Sequence, residues 1–264
     1  MNKLISFLGC LVLLTSSFAN AQASKGTSVY ELRVYTSQPG KLPHMLARFK
    51  HHTCKLFERH GMVNVGYWLP LKQETAEQKA DDQKDGDKLY YLLKHKSRAA
   101  ADASWAAFNA DPEWIKVRNA SEEKGAIVQS VESTFLAAAD YSPEKLSLAG
   151  KNHVFELRIY TTNDGKLATL DTRFREHTMA LFTKQGMTNL AYWHPTDADK
   201  GANNTLVYIL AHKDRASATK SWADFIADPE WISVRNASEE NGKILIDKGV
   251  KSVFLTATDF SALK

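Results

Sequence analysis

The sequence predicts an α+β chain of two tandem β-α-β-β-α-β units whose antiparallel sheets pack together as an α/β barrel. Three observations lead there. First, the chain repeats itself: residues 30–70 align with 155–195 at a constant offset of 125, with 20 identities in 41 positions. A second block, 95–125, aligns with 212–242 at an offset of 117, with 23 identities in 31. The change of offset falls in the polar stretch after Pro70, where a surface loop tolerates insertion. Second, strand and helix periodicities follow the same order in each copy. Third, 44% apolar and 24% charged residues over 264 positions are ordinary globular values, which exclude wholesale disorder and collagen-like repeats.

Each element has a local reason. Residues 30–35 alternate and are rich in strand formers. Leu42, Met45, Leu46, Phe49, Thr53, Leu56 and Phe57 then fall along one helical stripe, and Gly61 is placed to end that helix. Residues 63–68 read as the second strand and 89–95 as the third. Residues 99–110 read as helical. Asp111-Pro112-Glu113 then has the form of a fresh helix start, with Asp as N-cap and Pro at the first position; Gly125 ends that helix. Residues 131–136 read as the fourth strand, and the second copy repeats every element. This order is the ferredoxin-like split motif, which covers one sheet face with helices and leaves the other face open. Two open faces in one chain are expected to pack against each other. The expected boundaries are a targeting segment 1–21, units 29–139 and 153–260, and a linker 140–152.

Lys3, an apolar run from Leu4 to Leu14 and Ala19-Asn20-Ala21 read as a secretory signal peptide cleaved after Ala21. The run is too short for a comfortable span of about 20 residues, so the mature chain is expected to be exported and free of membrane spans. Cys10 lies inside the apolar run rather than after it, which argues against a lipid anchor. Cys54 is then the mature chain's one cysteine, so no internal disulfide forms. A net charge of +4, spread along the chain, does not suggest a nucleic-acid partner.

The run Y-E-L-R-x-Y-T…G-K-L…R-F…H-T…L-F…G-M…Y-W-x-P resembles the first half of a NIPSNAP domain, and S-W-A-A-F-x-A-D-P-E-W…R resembles its second half. The resemblance covers both copies and implies the dimeric α/β-barrel group of folds. That group holds cofactor-free monooxygenases, stress-responsive proteins, haem enzymes and binding proteins, so it implies fold more sharply than function. It brings no established catalytic residue set. The best-known members are mitochondrial, and the export signal here departs from that.

Strand alternation places Tyr30, Leu32 and Val34 on one face and Glu31, Arg33 and Tyr35 on the other; Glu156, Arg158 and Tyr160 repeat the polar set. The apolar face is expected to meet the helices and the polar face to point into the barrel. Charges there need partners or water, so these residues read either as Glu–Arg pairs across the pseudo-two-fold axis or as a wet pocket. On the second strand Asn64, Gly66 and Trp68 share a parity, matched by Asn189, Ala191 and Trp193, and that face could line a cavity, with Asn64, Trp68, Asn189 and Trp193 as further pocket candidates. His52 and His177, each in R-F-x-x-H-T, border the apolar helix stripe and are the candidate general bases or haem ligands. Trp105, Trp114, Trp222 and Trp231 read as packing anchors. Asp111 and Asp228 read as caps, and Arg118–Glu122 and Arg235–Glu239 as surface helix pairs. His95 and His212 are expected in solvent. No metal ligand set, phosphate loop, serine elbow or C-x-x-C is present in the sequence.

Two function classes follow. The first is an exported binding or sensing module for a small hydrophobic or anionic ligand, with no cofactor. The second is a cofactor-independent monooxygenase or isomerase, with His52 or His177 as base and Arg33 or Arg158 stabilising an enolate-like charge. Haem binding is a minor third. The second needs His and Arg to open on one cavity. Further pairing into homo-oligomers is left open.

Overall fold

The computed structural model describes residues 28–71, 87–150 and 153–264, so the signal-like segment lies outside the described residues. In the first half, strand β1 (Val29–Ser37) leads into a long helix, α1. It runs Leu42–Arg48, loosens into a π turn at Phe49–Thr53, and continues over Cys54–Arg59. Strands β2 (Val63–Pro70) and β3 (Lys88–His95), helices α2 (Arg98–Ala110) and α3 (Pro112–Ser121), and strand β4 (Val128–Ala138) follow. The second half repeats them. It has β5 (Val154–Thr162), α4 (Leu167–Arg173, π turn Phe174–Thr178, Met179–Lys184), β6 (Thr188–Pro195), β7 (Thr205–His212), α5 (Arg215–Ala227), α6 (Pro229–Ser238) and β8 (Leu245–Ala257).

The strands close into one barrel in the order β1-β3-β2-β8-β5-β7-β6-β4, with antiparallel pairing throughout. Each half contributes four strands, and two short seams join them: Trp68–Pro70 against Leu255–Ala257, and Leu136–Ala138 against Trp193–Pro195. Asp111 caps α3 by accepting the Glu113 N–H, and Asp228 caps α6 through the Glu230 N–H, as the sequence suggests.

The expected facing of the sheet is reversed. Tyr30, with Leu32 and Val34 packed beside it, joins Trp68, Tyr90, Leu92, Leu157, Trp193, Val207 and Ile209 in the barrel interior. Glu31, Arg33 and Tyr35 face the helices instead. A closed barrel has no water inside to solvate a charge, so its interior takes the apolar set. Only about 10 Å³ of open space remains among Leu32, Trp68, Leu157 and Trp193, about the room of a single water. A bulge between Asn64 and Gly66, repeated between Asn189 and Ala191, also breaks the expected parity of the second strand. Trp68 and Trp193 point inward, while Asn64 and Asn189 turn to the helices and donate to the Cys54 and Met179 carbonyls.

The segment after each half's last strand crosses to the other half. Ala139 N–H donates to Tyr192 O, and Ser142 Oγ accepts the Tyr192 N–H at 2.9 Å. At the C-terminus Thr258 N–H donates to Tyr67 O, and Ser261 Oγ accepts the Tyr67 N–H at 2.9 Å. The start of the expected linker is therefore a clasp between halves rather than a free connection.

Candidate functional site

Each half builds a buried polar centre between sheet and helices. Glu31 is fully buried, and its carboxylate collects four donors from four elements. Arg33 and Ser133 donate to Oε1; His95 Nε2 and Trp105 Nε1 donate to Oε2 at 2.9 and 2.8 Å. Glu156 is matched with Arg158, Ser252, His212 at 3.0 Å and Trp222 at 2.7 Å. Burial alone would raise each carboxyl pKa. The His bond, the Arg charge and the Ser and Trp donors overcome it and bring both down to about 2. Each Arg also lies over its Trp ring, 4.3 Å from the centroid in the first half and 4.1 Å in the second.

Several expectations are corrected by this geometry. The Glu–Arg pairs form within each half, not across the pseudo-two-fold axis. His95 and His212 are 2% exposed and act as Glu donors, not solvated surface groups. Trp105 and Trp222 donate as well as pack. Glu122 pairs with Arg48 at 2.9 Å rather than with Arg118, and Glu239 pairs with Arg173 at 3.4 Å rather than with Arg235.

His52 and His177 lie on the outer side of α1 and α4, with His52 exposed and the His177 side chain 42% exposed. The π turn explains this. It widens one helical turn and carries His52 further round from Phe49, while Thr53, already on the apolar stripe, stays beneath it. Thr53 Oγ donates to the Arg48 carbonyl five residues back, and Thr178 does the same to Arg173. The inward members of R-F-x-x-H-T are therefore Arg, Phe and Thr. Among the described residues, His52 lines an outer groove that neither Arg33 nor Arg158 lines.

Open volume lies in the helical layer. A cavity of about 130 Å³ in the second half is walled by Phe174, Phe182, Phe225 and Trp231, with Tyr160 and Arg173 supplying polar groups. Of the sequence candidates, only Tyr160 lines it; its hydroxyl accepts from Arg158 at 3.0 Å. Arg173, which the sequence reading passed over, is 5% exposed and lies 5.1 Å over the Trp231 ring. The signal for it was on the page: an Arg-Phe pair, 48–49 and 173–174, stands in both copies at the start of the π turn. A wider groove of about 620 Å³ on the outside of the first half is lined by His44, Arg48, His51, His52 and Lys116. Among the described residues no group of three or more His, Cys, Asp or Glu is placed to hold a metal.

Comparison with known proteins bears on this layout. The NIPSNAP family model matches residues 30–143 and again 155–262. No curated protein matches the chain. Among solved structures, a candidate monooxygenase from Lactobacillus acidophilus is similar at 12% identity, with 90% of this chain and 99% of that one covered and a TM-score of 0.52. An anthrone oxidase-like protein is similar at 10% identity, with 91% and 95% covered and a TM-score of 0.51. A NIPSNAP family protein of unknown function from Agrobacterium tumefaciens is 18% identical over 44% of this chain and 93% of that one, with a TM-score of 0.35.

Proposed function

The chain belongs to the NIPSNAP family, and from that premise we propose that it is an exported small-molecule binding module whose ligand sits between a sheet and its helices. One observation carries the reading. The barrel interior is packed with apolar side chains, and a cavity of about 130 Å³ lies on the other sheet face, walled by aromatic rings and a buried arginine and open toward the exposed Arg235. A concave, largely apolar site with a few fixed polar groups is the usual form of a small-molecule pocket. The fold shared with a candidate monooxygenase and an anthrone oxidase-like protein is compatible with such a site, but at 10–12% identity it carries no activity to this chain. The outward position of His52 and His177 sets them apart from the aromatic cavity on which the binding reading rests. No helix among the described residues is long and apolar enough to cross a membrane.

The test is native mass spectrometry on protein recovered from the exported fraction. We expect a chain beginning at Gln22 that carries, or takes up from an extract, one small molecule lost on mild activation. A chain that retains residues 1–21 would overturn export. A bare mass that no extract changes would overturn the binding module.

A further inference from the structure

Arg173 is a buried cation whose charge is incompletely matched. Its Nη1 donates to Ser238 Oγ at 3.1 Å and to Glu239 at a long 3.4 Å, and the Glu239 side chain is itself 29% exposed. Its Nε has no partner. Arg235 lines the same cavity and adds a second positive charge. Burial, reinforced by Arg235, holds the Arg173 pKa below the usual arginine range despite Glu239. A guanidinium presents donors in a planar fork that fits a carboxylate. Both of its side-chain bonds run from Nη1, so the guanidinium is not saturated, and Arg173 stands in the wall of the cavity.

The remaining walls choose the body of that ligand. Phe174, Phe182 and Phe225 offer ring faces and edges, and Trp231 stands beside the guanidinium. The volume of about 130 Å³ is close to that of an engineered apolar cavity of about 150 Å³ that takes up benzene. One ring fits, and two do not.

We infer that the second-half cavity binds a small carboxylate built on a single ring, its anion on Arg173 and its ring among Phe174, Phe182, Phe225 and Trp231. The inference rests on the reading of the chain as a small-molecule module. The first half differs at the corresponding place, although Arg48 Nε is likewise without a partner among the described residues. There Glu122 meets Arg48 at 2.9 Å and Trp114 is buried, whereas Trp231 is half-buried. One carboxylate per chain is therefore expected.

The test titrates the full mature chain with benzoate and with its neutral isostere benzamide, by calorimetry and by tryptophan fluorescence. Benzoate is expected to bind one per chain, at least tenfold tighter than benzamide. Arg173→Met should lose that tenfold, and Arg48→Met should not. If Arg173→Met does not fold, the wild-type comparison decides alone, with Trp231→Phe reporting where the fluorescence change arises. Equal binding of benzamide overturns the carboxylate assignment and leaves the module standing. Equal loss in Arg48→Met, or two benzoates per chain, overturns the placement in the second half. No binding of either probe at millimolar concentration overturns the inference, while a small molecule seen by native mass spectrometry would still uphold the module.

Discussion

The two clasps that lock the halves together have the same backbone and opposite chemistry. At the C-terminal clasp Phe260 packs 5.3 Å from Tyr67, with Leu46 and Leu69 in the same apolar cluster. At the linker clasp the corresponding residues are Tyr141, Asp171 and His194. Tyr141 donates to Asp171 at 2.6 Å, and His194 Nε2 lies 3.2 Å from the same carboxylate. His194 Nδ1 faces the Thr205 carbonyl at 2.9 Å. A carbonyl and a carboxylate both only accept, so the two partners together favour the protonated ring. Burial opposes that charge, but the Asp171 and Thr205 bonds outweigh it and raise the His194 pKa. Backbone geometry thus fixes where the halves join, while side-chain chemistry decides whether the joint depends on pH.

Beneath the clasps lies what the halves share, which sets the scale for any difference. Glu31→Ala and Glu156→Ala each leave a buried arginine and three donors without their carboxylate. We expect each to cost about 3–5 kcal/mol in urea unfolding, and nearly equally. A large inequality would show that one carboxylate centre does more than hold its half together. Acid should act on both at once. Their folded pKa of about 2 lies below the ordinary 4.5, so the stabilisation is complete above 4.5 and is lost as pH falls through about 2. The gap corresponds to about 3 kcal/mol per carboxylate. Stability measured from pH 5 to pH 2 should fall steeply in the wild type and less in either variant.

The clasps should respond unequally. Asp171→Ala removes the counter-charge of His194 and the acceptor of Tyr141, and we expect a loss of about 1–3 kcal/mol at pH 6. Ser142→Ala and Ser261→Ala remove the same backbone hydrogen bond from either clasp, with an expected cost of about 1 kcal/mol each. Equal serine effects beside a large Asp171 effect would locate the difference in the side chains alone.

How much of this the sequence discloses depends on periodicity. Repeat, element order and the caps at Asp111 and Asp228 are local patterns, and they are legible. The Glu, Arg and Tyr of the first strand are also legible as a set, but not the direction they face. Alternation defines two faces without saying which is inside, and only barrel closure decides it. The Asn64–Gly66 bulge and the π turn each insert one residue into a regular period. After that, parity misplaces Asn64 and helical phase misplaces His52. Arg173 is not legible for a related reason: the far wall of its cavity, Phe225, Trp231, Arg235 and Leu245, comes from α5, α6 and β8, distant along the chain. His95 was read as solvated because the end of a strand says nothing of the carboxylate two strands' pairing brings to it.

The sharpest use of the comparison is to turn one clasp into the other. The combined substitution Tyr141→Phe, Asp171→Leu and His194→Leu writes the residues of the C-terminal clasp into the linker clasp. A histidine with a raised folded pKa stabilises fully below its unfolded value of about 6.5 and loses that contribution as pH rises through the folded one. Wild-type stability should therefore decline as pH rises above about 6.5, on the part of the profile that Glu31 and Glu156 do not affect. The substituted chain should show no such decline. At alkaline pH, once the histidine has lost its proton, it should match the wild type within about 1 kcal/mol, because an apolar replacement of a part-buried ionic group is often neutral. Urea midpoints across that range check both statements. A decline that survives the substitution would mean another group governs the alkaline limb. Arg175 and Asp140, which meet at 2.7 Å beside Tyr141 and stay charged throughout, would not supply it.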